Sequence, residues 1–219
     1  QNLVLSFTRQ LLCFTSTYNM CGIAGFIGSG SIDSLPISDC LDSMHHRGPD
    51  AHGYKIFTHN DHNIALLHTR LAILDLDNRS AQPFRYQNSM VIFNGEIYNF
   101  IEIRSELETH GFSFKTTGDT EVVAAAIDFW GDEAYPKFEG MWAMAHLDLE
   151  SMNLTLSRDK FGEKPFYIYE NEKGLYFSSE INSLRKLANK KFEVNFNHLK
   201  RYLVNGYKSL FKTSETFFQ

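Results

Sequence analysis

Residues 141–178, MWAMAHLDLESMNLTLSRDKFGEKPFYIYENEKGLYFS, decide the fold class. The run divides into four strand-like stretches, Met141–Asp148, Met152–Ser157, Pro165–Tyr169 and Gly174–Ser178, joined by short polar turns. Upstream, an apolar strand is expected over 22–27, a helix over Ser38–His46 with Gly48-Pro49 as its stop, and strands near Gly53–Phe57, Ile64–His68 and Met90–Phe93. Asn99 is placed to N-cap a helix that runs to about His110 and stops at Gly111. Helices are also expected over Thr120–Trp130 and, briefly, Glu133–Phe138. Downstream come helices over Glu180–Ala188 and Asn197–Val204. Strands and helices come in blocks and do not alternate strictly, which indicates an α+β plan with antiparallel sheets and not a doubly wound one.

The chain has 219 residues, 43% hydrophobic and 21% charged, enough for one packed domain with short appendages. Its formal charge of −5 gives no electrostatic case for a nucleic-acid partner. No run approaches the ~18 apolar residues of a membrane span. Three irregularly spaced cysteines, Cys13, Cys21 and Cys40, make neither a disulfide framework nor a zinc site, so a reducing, cytoplasmic setting is expected and no metal. Residues 1–20 read as a leader, with three alternatives open: a propeptide, translated upstream sequence, or an expression remnant. Loss of Met20 would expose Cys21 as the first residue. A boundary is expected near residue 190, where Lys190-Lys191 follows the last strong apolar pattern.

Four clusters carry chemistry. Cys21 precedes the Gly-punctuated strand Gly22-Ile23-Ala24-Gly25-Phe26. It is either a small buried hydrophobe or, if freed, a nucleophile whose own α-amine accepts the thiol proton. Phe93-Asn94-Gly95-Glu96 closes a strand. Asn-Gly there is either a hairpin turn or a pair of donors, the Asn94 amide and the Gly95 N–H, for an oxyanion. Arg70 stands in the apolar run from His68 to Asp75. It is either a solvent-facing arginine on an edge strand or a clamp for a carboxylate. In Gly118-Asp119-Thr120, Asp119 or Thr120 is a helix N-cap, or Asp119 binds an ammonium group. A thiol, two oxyanion donors, a carboxylate clamp and an amine acceptor together suit a free amino acid with a side-chain carbonyl.

With these segments, and with His46-Arg47-Gly48-Pro49-Asp50, Gln82-Pro83, Glu139-Gly140-Met141-Trp142-Ala143, the run Arg158 to Phe166 and Phe177-Ser178-Ser179-Glu180, the sequence resembles the class II, N-terminal-nucleophile glutamine amidotransferases. The segments occur in the family's order from Cys21 to about Ile181. Phe93-Asn94-Gly95-Glu96-Ile97-Tyr98-Asn99 is similar to the asparagine synthetase branch; the sugar-phosphate and phosphoribosyl branches usually have histidine where Phe93 stands.

The resemblance implies a four-layer αββα sandwich and glutamine as substrate. It implies Cys21 as nucleophile, Asn94 and Gly95 at the oxyanion hole, Arg70 on the α-carboxylate, Asp119 and Glu96 near the α-amine, and backbone around Leu71, Ile73 and Leu74 lining the pocket. His46 and Arg47 are taken as a helix end, and Gly162, Lys164 and Pro165 as a turn that shapes the fold. The amidotransferase domain is expected over 21–190, with 191–219 beginning a connection to a C-terminal synthetase domain. That domain would bind aspartate, ATP and magnesium through a Ser-Gly-Gly-type loop, of which this sequence has none. No cofactor is expected in this chain itself, and a homodimer is compatible with the family. Two rivals remain open: the amidotransferase domain of another amide-forming synthetase, and a non-catalytic module with an unprocessed N-terminus.

Overall fold

A computed structural model describes residues 20–72, 75, 77–206 and 216–218. These fall into two compact units, divided between Ala188 and Asn189. In the first, nine strands form two antiparallel sheets. Sheet A has the order β2-β3-β1-β9-β8, from β1 (Gly22–Gly28), β2 (Ala51–His59), β3 (His62–Arg70), β8 (Tyr167–Asn171) and β9 (Gly174–Ser178). Sheet B has the order β4-β5-β6-β7, from β4 (Phe84–Tyr86), β5 (Ser89–Ile97), β6 (Gly140–Asp148) and β7 (Leu154–Arg158).

The four strands of the deciding run are all present but do not form one meander: β6 and β7 close sheet B, while β8 and β9 belong to sheet A. The crossing segment is held by Asp159, whose carboxylate accepts the N–H groups of Phe161, Glu163, Lys164 and Trp142 at 2.9–3.3 Å. The Arg158 guanidinium donates to the carbonyls of Gly162 and Lys164, each at 2.6 Å. Gly162 adopts φ of 65°, a left-handed conformation that glycine takes without strain. Short spacing foretold antiparallel pairing but not a change of sheet, which depends on where these backbone donors are satisfied.

Alternation along the strands builds the core. Ile23, Ile64, Leu66 and Phe177 of sheet A pack against Met90, Ile92, Ala143, Ala145 and Leu147 of sheet B. The intervening residues Val91, Phe93 and Met144 face outward onto helices α2 (Phe100–Thr109) and α3 (Asp119–Trp130), where Ile103, Leu107 and Val122 to Ile127 meet them. Helices α1 (Ile37–Met44) and α4 (Ile181–Leu187) contact each other and strands of sheet A. The result is the αββα order that the resemblance implies. Full burial of a side chain such as Phe177 or Ile92 contributes about 1.5–3 kcal/mol.

Some local expectations change. Strand β5 extends through Ile97, so Asn94-Gly95 lies within a strand and is not a hairpin turn. Asn99 occupies the N-cap of α2 without capping it; its side chain bridges Lys137 O and Glu139 N at 2.9 and 3.0 Å. The third helix is a 3-10 segment, Gly131–Lys137, and strand β4 was not anticipated. In the second unit, α5 (Phe196–Asn205) is capped by Asn195, whose side chain accepts from His198 N at 3.0 Å, and ends at the left-handed Gly206. Among the described residues, no helix is long and apolar enough to cross a membrane.

Candidate active site

The same alternation gathers the singled-out side chains at one end of the sandwich. Ile23 faces the inter-sheet core, so Cys21, two residues earlier, lies on that side of β1. Ile64 and Leu66 place His68 and Arg70 likewise on β3, and Met90 and Ile92 place Asn94 and Glu96 on β5. Cys21, Arg70, Leu71, Asn94, Gly95, Glu96 and Asp119 line one concavity, together with Met20, Gln82, Thr120 and Lys164. Ile73 and Leu74 lie outside the described residues.

Cys21 is partly buried and tied at both its thiol and its carbonyl. The Leu71 N–H points at Sγ from 3.4 Å, and Sγ lies 3.6 Å from Leu71 O. The Cys21 carbonyl accepts Arg47 Nε at 3.1 Å, and the Arg47 fork reaches Glu180 at 3.1 Å. Arg47 is thus more than a helix end: it is buried and fixes the backbone of the candidate nucleophile. His46 keeps a peripheral place, exposed on Glu180 at 3.0 Å. Gly48 allows this approach, since a Cβ there would stand 2.4–2.5 Å from the Thr69–Arg70 backbone.

Burial pushes the Cys21 thiol above its usual range. The Leu71 backbone and the Arg70 charge oppose that shift, while Asp119 and Glu96 add to it. A neutral thiol is a weak nucleophile, so the site requires a base. Among the described residues no histidine lines the concavity. His68, on the inner face of β3, is wholly buried and pushed down to about 3 by desolvation, which keeps its imidazole neutral.

Arg70 stands at the end of an interior strand and is 6% exposed, which excludes the edge-strand alternative. Its fork donates to Asp77 O at 3.0 Å and to Asp75 O. Each terminal nitrogen carries a second N–H beyond these loop contacts.

Asn94 is 1% exposed, and its Nδ2 has no hydrogen-bond partner among the described residues. An unsatisfied buried amide costs roughly 1–3 kcal/mol, and natural structures retain few of them. Along β5, Tyr98 N donates to Glu139 O, just before β6, so even-numbered backbone groups face β6 and odd-numbered ones the opposite edge. At that edge Phe93 N is capped by Gln82 Oε1 at 2.6 Å and Ile97 N by Asp119 Oδ2 at 3.1 Å. The Gly95 N–H lies between them, directed to the concavity. Glycine at 95 also has a packing cause: a Cβ would meet Met141 O at 2.3 Å.

Asp119 opens α3, but no side chain caps that helix; its carboxylate instead meets Ile97 N. Thr120 receives Gln82 Nε2 at 3.4 Å. Burial, reinforced by the neighbouring Glu96 charge, raises Asp119 to about 7 against the pull of the Ile97 N–H. Glu96 is also raised by burial, with Lys164 opposing. An ammonium group placed here would favour the ionised form of both. Gln82, Arg47 and Lys164 are the residues whose place in the site sequence reasoning missed. Each lay within a quoted segment, but nothing in its spacing gave the direction of its side chain. Among the described residues, no group of three or more His, Cys, Asp or Glu is arranged to hold a metal ion.

The glutamine amidotransferase domain family model matches residues 20–219. Among curated proteins, the chain is similar to asparagine synthetase [glutamine-hydrolyzing] 1 of Bacillus subtilis, at 35% identity over 84% of this chain and 29% of that protein. It is also similar to asparagine synthetase [glutamine-hydrolyzing] 2 of the same organism, at 36% identity over 75% of this chain and 22% of that protein. The chain therefore spans less than a third of the length of either relative. Among solved structures, the glutamine phosphoribosylpyrophosphate amidotransferase from B. subtilis, complexed with ADP and GMP, superimposes with a TM-score of 0.63. That likeness covers 77% of this chain and 44% of the other at 20% identity, and it concerns the fold.

Proposed function

The chain belongs to the glutamine amidotransferase domain family, and from that membership we propose that it hydrolyses glutamine to glutamate and ammonia with Cys21, freed as the N-terminal residue, as the nucleophile. The observation that carries this reading is the buried Nδ2 of Asn94, without a partner among the described residues, in the concavity that holds the Cys21 thiol.

Arg70 takes the α-carboxylate of glutamine with its remaining donors, and Asp119 with Glu96 takes the α-ammonium. The Cys21 α-amine accepts the thiol proton, and Sγ bonds to the side-chain carbonyl carbon. The carbonyl oxygen becomes an oxyanion, held by Asn94 Nδ2 and the Gly95 N–H. Collapse breaks the C–N bond, and the proton on the α-amine passes to the departing NH2 group, giving ammonia and a thioester. Water, losing a proton to the same amine, attacks the thioester; the C–S bond breaks and the thiol is restored. Arg47 acts through the Cys21 carbonyl as a positioning residue.

The relatives' names support a wider role in which the ammonia serves asparagine synthesis; we infer from the family resemblance that aspartate, ATP and magnesium are used by a separate domain beyond 21–190, in a cytoplasmic enzyme with a homodimer as one possible assembly. The test is ammonia and glutamate release by two forms of the protein, one beginning at Gln1 and one at Cys21. Hydrolysis only by the form beginning at Cys21 is the expected result, because a peptide nitrogen is not basic. Equal turnover by both overturns the proton-acceptor role, and no turnover by either overturns the activity.

A further inference from the structure

We propose that Lys164 is a positioning residue for the ammonium end of the substrate: its buried ammonium holds Glu96 as a carboxylate beside Asp119, so that two anionic acceptors face the glutamine α-amine. This rests on the reading of the site as a glutamine pocket.

Lys164 is 5% exposed and lines the concavity with Cys21, Glu96 and Asp119. Its backbone is pinned on both sides, N–H to Asp159 Oδ2 at 3.0 Å and carbonyl to Arg158 Nε at 2.6 Å, so the side chain enters the site from a fixed point. The Nζ group has three donors. Among the described residues its hydrogen-bond acceptor is the thioether of Met20, at 3.0 Å. A thioether is a weak acceptor, and it leaves with Met20 when Cys21 becomes the first residue. A buried ammonium so poorly satisfied requires an anion.

The nearby charges identify that anion. From β3, the Arg70 fork is bonded to loop carbonyls; from the segment after α1, the Arg47 fork is bonded to the Cys21 carbonyl and Glu180. Among the described residues, Lys164 is the cation of the site without an oxygen partner at hydrogen-bond distance. Opposite stand Glu96 from β5 and Asp119 from α3, each raised by burial, Asp119 further by Glu96. Glu96 is the largest charge opposing the desolvation of Lys164, and Lys164 the charge opposing that of Glu96. The Cys21 thiol and Asp159 favour the charged lysine more weakly, and Arg47 disfavours it. Two neighbouring buried carboxylates without a cation share one proton. The substrate α-ammonium brings one positive charge to a pair that carries two negative ones when ionised, and Lys164 supplies the second.

The test measures kcat and KM for glutamine across pH 5.5 to 9 (roughly the range spanning these titrations) in the protein beginning at Cys21, unaltered and as K164M, K164Q and K164R. For K164M and K164Q the acid limb of kcat/KM is expected to move up by about one pH unit. KM at neutral pH should rise on the order of tenfold, while kcat at alkaline pH stays near that of the unaltered protein. K164R should return the limb to its place. An unmoved acid limb in an active K164M or K164Q overturns the proposal, as does a parallel fall of kcat and kcat/KM with no change of pH profile. Failure of both neutral variants to fold, judged by melting, while K164R folds and keeps the limb, assigns Lys164 to the wall alone and also overturns it. Absence of hydrolysis by the unaltered protein removes the underlying reading of the site, an outcome distinct from all of these.

Discussion

Two concavities of this molecule hold carboxylates, and they treat them differently. The one around Ser89, Asp128, His146 and Asp148 is polar and open. Its groups are largely matched within the protein. His146 Nε2 meets Ser89 Oγ at 3.0 Å, and Asp148 accepts Glu150 N at 2.9 Å and Ser151 Oγ at 2.7 Å. Those bonds close the turn between β6 and β7, and they hold Asp148 below the usual carboxylate range, the Ser151 hydroxyl first. At the Cys21 concavity the local bonds stop short: among the described residues Asn94 Nδ2 has no partner and Lys164 reaches a thioether, and Asp119 is raised to about 7. Both regions hold carboxylates. A difference in satisfaction separates a turn from a site that awaits a ligand.

The sharpest way to break this comparison is Cys21→Ala. Ammonia release should fall to background, while the melting temperature moves little, since loss of one sulfur at a strand start costs about 1 kcal/mol or less. Retained hydrolysis would remove Cys21 from the chemistry. Asn94→Ala should lower kcat by roughly 10²–10³ and change KM much less, because the donor acts on charge that develops in the transition state. Arg70→Ala should instead act mainly on KM; if steady-state kinetics give both variants the same pattern, the division of roles is wrong.

Asp119→Asn tests the strain on the carboxylate itself. Its pKa rises from 3.8 to about 7 on folding, so the folded state binds more protons than the unfolded state between these values, and stability falls as pH rises through that window. The amide removes this penalty and still accepts from Ile97 N. The variant should be more stable than the parent at pH 8, by up to a few kcal/mol, with the gain vanishing below ~pH 4, and it should bind glutamine worse. A gain that persists at low pH, measured by melting across the range, assigns the effect to packing. The smallest effect belongs to the other concavity: Asp148→Asn should cost about 0.5–1.5 kcal/mol of stability and leave kcat and KM unchanged. A kinetic change there would dissolve the contrast.

Much of the architecture is legible because strand and helix periods are local properties. The expected elements recur within a few residues, except where neighbours intervene. Strand β5 continues through Asn94-Gly95 because β6 pairs along it to Ile97, overriding a strong turn dipeptide. The change of sheet after β7 was illegible because Asp159 has to find four backbone donors, one of them on β6, before that loop has a direction.

By itself, the sequence determined which residue types were available, in what order, and on which face of each strand they would stand: Cys21, Arg70, Asn94 and Glu96 follow the apolar alternation of their own strands. Only the tertiary structure decided that those faces meet at one end of the sandwich, that Arg70 is interior, that Arg47 holds Cys21, and that Lys164 enters from a loop. The reason is physical. Side-chain alternation is set by the backbone of a single strand, whereas burial, unsatisfied donors and shifted carboxylates arise only where segments distant in the chain exclude water together.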